Sequence, residues 1–328
     1  MGTSPDLLPG RQLLGDDAVR KRWQKNWKIN LSPDAGLNMV RMIEAAEKGN
    51  LKALYIMGEN PLRALPQSDR VQKALENLEF LVVQDILNSE TARIADAVLP
   101  GAALSEKQGS VTNLEGRIQS FNPVVRPPGK SMADWQILDL LAARLGSGKP
   151  YESVEKIRSE IKRLVPMYAS LNGNKEAWIE LTSEKTLFNS ENKDELIAFY
   201  PVVSIEDKAE DDDYGFTAIV GTQRYQLGSG TRTAASERIR DFAAGGRIEI
   251  SPRDAAAINV GDGDTIAVRS KHGSVSREIF LKSGLSPGHI FVPTGVNKND
   301  AMNLFSLSDL SVPGAAGWKT CNVKIEKA

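Results

Sequence analysis

The run GTQRYQLGSGTRT (221–233) places three glycines, the hydroxyls of Thr222, Ser229, Thr231 and Thr233, and the guanidinium groups of Arg224 and Arg232 directly after a strand-like stretch. Backbone N–H groups in a glycine-rich turn converge on anions, and an arginine fork matches a phosphate. A flexible hydrophilic loop would share this composition. A second polar stretch, 106–119, carries Glu106, Lys107, Thr112, Asn113, Glu115, Arg117 and Gln119. Amide and carboxylate side chains pair with the alternating donors and acceptors of a purine or pterin edge. A third feature is GENP (58–61), where Gly58, Asn60 and Pro61 follow an apolar run. That puts a turn at the carboxyl edge of a sheet, the usual ligand edge of α/β folds. It is neither GxGxxG nor a Walker loop. Together the three stretches point to a large, polar, heteroaromatic ligand carrying phosphate.

Other chemistry is sparse. The 328 residues contain one cysteine, Cys321, and two histidines, His272 and His289. One cysteine cannot close an intrachain disulfide or hold an iron–sulfur cluster unaided. His272 sits in KHG (271–273), read as a hairpin turn, and His289 opens a strand. Neither accompanies a GxSxG nucleophile context, and no HExxH is present. A carboxylate pair that meets only in space leaves no sequence signal, so a two-domain hydrolase stays open as an alternative. The net charge of -1 argues against nucleic acid as a partner. No apolar run is long enough to span a bilayer, and the amino terminus lacks the basic-then-apolar order of a secretory signal. The expected location is cytoplasmic, including the cytoplasmic side of a membrane complex.

The elements that must carry these residues follow from periodicity. Leu37, Val40, Ile43 and Ala46 have helical spacing, closed by Gly49-Asn50. LKALYIM (51–57) and FLVVQ (80–84) read as buried strands joined through a helix that Asp69 can cap. A helical connection implies a parallel sheet. SETARIA (89–95), capped by Ser89, and the strand DAVLP (96–100) repeat the pattern. Residues 106–130 read as a long polar loop, followed by a helix over 131–146 with Asp134 as cap. A further helix over 154–168 is ended by Pro166. Trp23 and Trp27, four apart, share a helix face that either packs inward or docks on another chain. Weak strand-like pieces such as ELIAFY (195–200) precede an acidic run (206–213) that reads as a solvated linker. Beyond it, six short strands (216–221, 247–251, 264–270, 274–281, 289–295 and 321–326) imply a small closed β-structure. Ser251 and Pro252 open a helical turn within it. The expected domains are therefore 1–205 and 214–328.

YIMGENP (55–61), the stretch 78–119 ending in EGRIQ, and DWQILDLLAARLG (134–146) resemble the molybdopterin oxidoreductase family. ISPRDAAAINVGDGDTIAVRSKHG (250–273) is similar to that family's final dinucleotide-binding domain. The nearest resemblance is to the large iron–sulfur component of bacterial NADH–quinone oxidoreductase and to NAD-linked formate dehydrogenase catalytic subunits. It implies a Rossmann-like α/β domain followed by a six-stranded double-psi-type β-barrel. It also implies that Gly58, Asn60, Pro61, Gln84, Asp85, Thr91 and the 106–119 stretch line a nucleotide site. Thr222, Arg224, Thr231 and Thr233 would hold pyrophosphate or pterin, with Asn303 and Lys319 near the same cofactor. The family's amino-terminal cysteine-rich iron–sulfur segment and its cysteine or selenocysteine metal ligand have no counterpart here, and Gln226 stands where histidine is common. The resemblance thus implies a carboxy-terminal half that shares molybdopterin guanine dinucleotide with a partner chain bearing the metal and iron–sulfur ligands. Such a chain ligates no cluster itself and is not expected to be active alone. The alternative within the family is a structural component of an electron-transfer complex that keeps the fold without the cofactor.

Overall fold

The computed structural model describes residues 4–146, 150–171, 177–179, 214–242, 245–296, 300–308 and 320–327. The strand-like ELIAFY, the acidic run 206–213 and Lys319 lie outside the described residues.

A short antiparallel hairpin, β1 (Leu7–Leu8) and β2 (Gln12–Leu13), precedes α1 (Asp17–Trp27). The Asp16 carboxylate caps α1 by accepting from the amides of Ala18 and Val19 at 2.9 and 3.1 Å, serving two N–H groups that the helix leaves unpaired. In α2 (Met39–Glu47) the expected stripe of Val40, Ile43 and Ala46 is buried. β3 (Ala53–Met57) runs through GENP into α3 (Pro61–Ala64), and α4 (Ser68–Glu76) leads to β4 (Phe80–Asp85). The expected cap of α4 is displaced. Asp69 lies within the first turn, Gln67 occupies the cap position with φ 55°, and Asn303 Oδ1 accepts from Ser68 N at 3.2 Å. The capping group comes from far along the chain, where local spacing cannot reveal it. Ser89 caps α5 (Glu90–Arg93) as expected, and β5 (Ala97–Pro100) follows. β3 and β4 pair in parallel, Ala53 opposite Phe80 through Met57 opposite Gln84, and β5 lies beyond β4.

The expected loop at 106–130 is largely a hairpin. β6 (Gly109–Thr112) and β7 (Arg117–Phe121) pair antiparallel, with Gly116 at φ 87° in the turn. Its alternation is muted because Ile118 is buried while Val111 is exposed and the remaining positions are mostly polar. α6 (Asp134–Arg144) starts at Asp134, which is its first helical residue and not its cap. The Gln136 side chain accepts from Ala133 N instead, at 3.2 Å. α7 (Val154–Leu164) stops before Pro166, which opens a 3-10 turn to Tyr168, and β8 (Ala177–Trp178) adds to β7.

The remaining elements are β9 (Phe216–Thr222), α8 (Glu237–Phe242), β10 (Ile248–Ile250), α9 (Pro252–Ala257), β11 (Thr265–Arg269), β12 (Ser274–Leu281), β13 (His289–Thr294) and β14 (Thr320–Lys327). The six strands close in the order β10-β12-β11-β14-β9-β13, the barrel expected from the sequence. Two pairings, β10 with β12 and β13 with β9, are parallel. Alternate residues of the strands point inward. Ile248, Ile250, Ile266, Val268, Ile279, Ile290 and Val292 are fully buried in one apolar cluster.

The chain divides into two compact units, Met1–Asn38 with Leu99–Val202, and Met39–Val98 with Val203–Ala328. In the second unit, Leu307 is fully buried among α2, α4 and sheet residues such as Ile43, Leu75 and Val83. Its amide also donates to Gln67 Oε1 at 3.3 Å. Deleting such a side chain removes apolar burial and leaves a cavity. Leu307→Ala should therefore cost about 2–5 kcal/mol, read as a lower urea midpoint with unchanged slope. A loss under about 0.5 kcal/mol, typical of a surface change, would show that Leu307 does not serve this core.

Candidate functional site

The turn after β3 is made by Gly58, whose φ of 68° suits glycine and whose N–H donates to Gln84 O at 2.8 Å. A side chain built there would meet open space. Gln84 is buried and accepts from the Tyr55 hydroxyl. Asp85, half-buried at the end of β4, accepts from Ile86 N at 2.6 Å and keeps acceptor capacity for a ligand. Pro61 fills the first position of α3, where no N–H is needed.

Asn60 is buried and fully engaged. Its Nδ2 donates to Glu90 Oε2 at 2.6 Å and Thr231 Oγ1 at 3.2 Å. Its Oδ1 accepts from Thr91 N at 3.2 Å and Thr91 Oγ1 at 2.7 Å. The Thr91 hydroxyl, fully buried, also accepts from Leu62 N at 3.3 Å. An amide offers two donors and two acceptor sites, so Asn60 has none to spare. Asn60 and Thr91 shape the loop from beneath.

Arg63 was not singled out by the sequence, yet it joins the two regions that were. Its Nε donates to Ser229 O at 2.7 Å, its Nη1 to Glu90 Oε1 at 3.2 Å, and its Nη2 to Val296 O. The two carbonyls belong to glycine-rich turns that touch backbone to backbone. A Cβ at Gly230 (φ 75°) would lie 2.0 Å from Gly295 O. Burial opposes the charge on Glu90, but hydrogen bonds from Asn60 and its own amide, with the Arg63 charge, hold its carboxyl below the usual value. The available hint was position alone, an arginine on the one-turn helix that follows GENP.

In the barrel loop, Thr233 Oγ1 donates to Gln226 Oε1 at 2.5 Å and accepts from Leu227 N at 3.3 Å, while the Ser229 and Thr231 hydroxyls meet at 3.0 Å. Thr222 ends β9 opposite Thr294 and is exposed, as are Arg224 and Arg232. Arg224 lies 5.6 Å from the Tyr225 ring centroid. Gln223 Oε1 is buried without a hydrogen-bond partner. Asn303 acts as the cap of α4 described above.

The candidate residues of the 106–119 stretch belong to the other unit. Glu106 Oε2 accepts from Ala103 N at 2.8 Å, and Lys107 pairs with Asp134. Thr112 Oγ1 lies 3.0 Å from the Tyr168 hydroxyl. Asn113 Oδ1 builds the hairpin turn by accepting from the amides of Glu115 and Arg117 at 3.0 and 2.9 Å. Arg117 and Gln119 are half-buried on β7. Burial pushes the Cys321 thiol up to about 12, so it is not a thiolate at neutral pH. His289 Nδ1 rests 3.1 Å from Pro287 O at the strand start. Among the described residues no group of three or more His, Cys, Asp or Glu is placed to hold a metal ion. No described helix is long and apolar enough to cross a membrane.

Comparison with known proteins adds to this geometry. Residues 14–144 match the molybdopterin oxidoreductase family, and residues 216–318 the molybdopterin dinucleotide-binding domain. The chain is 34% identical to the F420-dependent formate dehydrogenase subunit alpha of Methanocaldococcus jannaschii, over 100% of this chain and 50% of that protein. It is 32% identical to the NADPH-Fe(3+) oxidoreductase subunit alpha of Geobacter sulfurreducens, over 91% of this chain and 33% of that one. It is 30% identical to an NADH-quinone oxidoreductase subunit of Rhizobium meliloti, over 89% of this chain and 33% of that one. The chain thus spans between a third and a half of the length of these relatives. Acetylene hydratase from Pelobacter acetylenicus has the same fold, with TM-score 0.65 and 17% identity over 96% of this chain and 50% of its own.

Arg63→Met would strand the carbonyls of Ser229 and Val296, at about 1–3 kcal/mol for each buried group left unsatisfied. Glu90 is 41% exposed, against 8% for Arg63, so solvent screens its share of the loss. The depressed Glu90 carboxyl stabilises the fold above its ordinary value of 4.5, and that stability fades as pH falls through the folded value. Urea titrations across this range should show the fade in the native protein and a flatter profile in Glu90→Gln. Equal slopes in both would remove the carboxylate from the network.

Proposed function

From the premise that this chain belongs to the molybdopterin oxidoreductase family, we propose that it forms the carboxy-terminal half of a redox component. That component is of the formate dehydrogenase type or of the NADH–quinone oxidoreductase type. In this reading the chain supplies part of the cradle for molybdopterin guanine dinucleotide. The metal and iron–sulfur ligands come from polypeptide outside these 328 residues, on a partner chain or on the rest of a longer one. The observation that carries the reading is the junction of GENP with the 226–233 loop. Two stretches chosen for nucleotide chemistry, 171 positions apart at Asn60 and Thr231, share a hydrogen bond. The division into domains 1–205 and 214–328 is part of this proposal.

The side chains suit a dinucleotide. Exposed Arg224 and Arg232 offer forked donors to pyrophosphate, with Thr222 beside them. Asp85 offers a carboxylate that can accept from an amino edge such as that of guanine. Gly58 and Gly228 have free space where a side chain would stand, and the Gln223 amide oxygen is an acceptor in want of a donor. Asn60, Thr91, Thr231 and Thr233 hold the loops. When bound, the cofactor supplies the two-electron redox chemistry; this chain binds its dinucleotide, orients it and balances its charge. The named relatives point to formate, F420 or a reduced nicotinamide carrier as the redox partner of the whole assembly.

A second reading, a structural component that keeps the fold without the cofactor, is favoured by Gln226 being tied to Thr233 and by the internal saturation of Asn60. Mass spectrometry of the natively purified assembly separates the two. Retained pterin and guanine nucleotide support the cradle, and their absence supports the structural role. Arg224→Ala should lower the affinity for pterin dinucleotide by about ten- to a hundredfold, the loss of one charged hydrogen bond of about 1.5–3 kcal/mol, read as lower retained pterin. Unchanged retention would remove Arg224 from the site.

A further inference from the structure

The unit built from residues 4–38 and 99–179 contains a groove of about 160 Å³ whose use the dinucleotide reading does not explain. That is many times the roughly 10–15 Å³ that admits one water. Its walls include the rings of Trp23, Trp27 and Tyr151, backed by Ile161 and Leu164. Trp23 and Trp27 stand one turn apart on α1, with centroids 4.5 Å apart and planes at 54°, so they form an angled wall. Facing them on α7, Glu160 accepts from Trp27 Nε1 at 3.3 Å and from the Tyr151 hydroxyl at 2.9 Å.

Both donors are neutral, so they fix the carboxylate in place without cancelling its charge. The Tyr151 hydroxyl is pushed up to about 12, by burial first and then by Glu160, and therefore stays a donor at neutral pH. Two further charges act on the Tyr151 hydroxyl: Asp139, which accepts from Tyr151 N at 2.9 Å, and Arg163, whose guanidinium is directed to Asn26 Oδ1 at 2.5 Å. Glu160 is the charged residue among the described residues that line the groove. Aromatic faces carry negative quadrupole charge and attract cations within about 6 Å of the ring centroid. A metal ion or a primary ammonium would forfeit hydration that aliphatic walls cannot replace. A cation whose charge is wrapped in methyl groups loses little on entry.

We infer that this groove is a binding site for a small free quaternary ammonium compound, with the tryptophan pair and Tyr151 as its cage and Glu160 as its counter-charge. The inference does not depend on the cofactor reading, because its residues take no part in the proposed cradle.

The test is a fluorescence titration of the full chain with tetramethylammonium chloride, referenced to sodium chloride at matched ionic strength. It is repeated with choline and with its uncharged isostere 3,3-dimethyl-1-butanol. Saturable change in tryptophan emission is expected for both cations, with the isostere about tenfold weaker or worse. Glu160→Gln keeps the acceptor geometry and removes the charge, and Trp27→Leu keeps an apolar wall and removes the π face. Each should weaken binding by about tenfold, while Tyr151→Phe keeps the ring and loses only a few-fold. Absence of saturation in the native chain overturns the site. Equal binding of the isostere, or native affinity in Glu160→Gln, overturns its charge selectivity even if Trp27→Leu fails to fold.

Discussion

A guanidinium taken out of water must give each of its donors an acceptor, and a buried carbonyl must find a donor. Arg63 meets both demands at once. It stands on a single helical turn beside the parallel sheet, and its acceptors are the carbonyls of Ser229 and Val296 and the carboxylate of Glu90. Those carbonyls lie in turns where Gly230 and Gly295 press backbone against backbone, so neither glycine position has room for a side chain. The sheet loop, the short helix with Glu90 and two barrel loops therefore share one set of hydrogen bonds. Removing any member leaves others buried and unsatisfied, which gives such a network its specificity.

The barrel supplies the rigid frame for this contact. Its strands fill their interior with β-branched residues, and Arg277 on β12 fixes the far side of the same loop by donating to the carbonyls of Gly246 and Pro293 at 3.0 and 2.8 Å while pairing with Asp300. The segment 293–296 is thus gripped by one arginine from the barrel and another from the α/β segment. Loops bearing exposed arginines, such as 224–232, are anchored at their bases and open at their tips. That combination leaves the arginines free to meet solvent without disturbing the contacts at the loop base.

What the sequence disclosed and what it hid follow one physical rule. Features governed by neighbours a few positions away were legible: the α2 stripe, the Ser89 and Ser251 caps, the hairpin around His272, and the six strands with alternating apolar residues. Features completed by distant partners were not. Asp69 and Asp134 looked like caps because the true capping groups, Asn303 and Gln136, either lie far away or act from inside the helix. The 109–121 hairpin was masked by its polar composition, with Ile118 its deeply buried apolar residue. Arg63 was one cation among 41 until positions 229 and 296 were placed beside it. The polar residues of these loops stood out by type, but type could not tell Asn60 and Thr91, spent on each other, from Arg224, which is exposed.

The cap that Asn303 gives to α4 bears on how the molecule is made. Ser68 and Asn303 are separated by 235 positions, and Leu307 enters the same helix-and-sheet core from the connection between β13 and β14. A ribosome releases the chain from its amino end, so residues 39–98 emerge long before the groups that complete their core. Closing so long a loop is slow to achieve although its entropy grows only slowly with length. During that interval α2, α4 and two parallel strands present apolar surface to the cell. The early half of this unit thus closes its core only once residues 303–307 have been made.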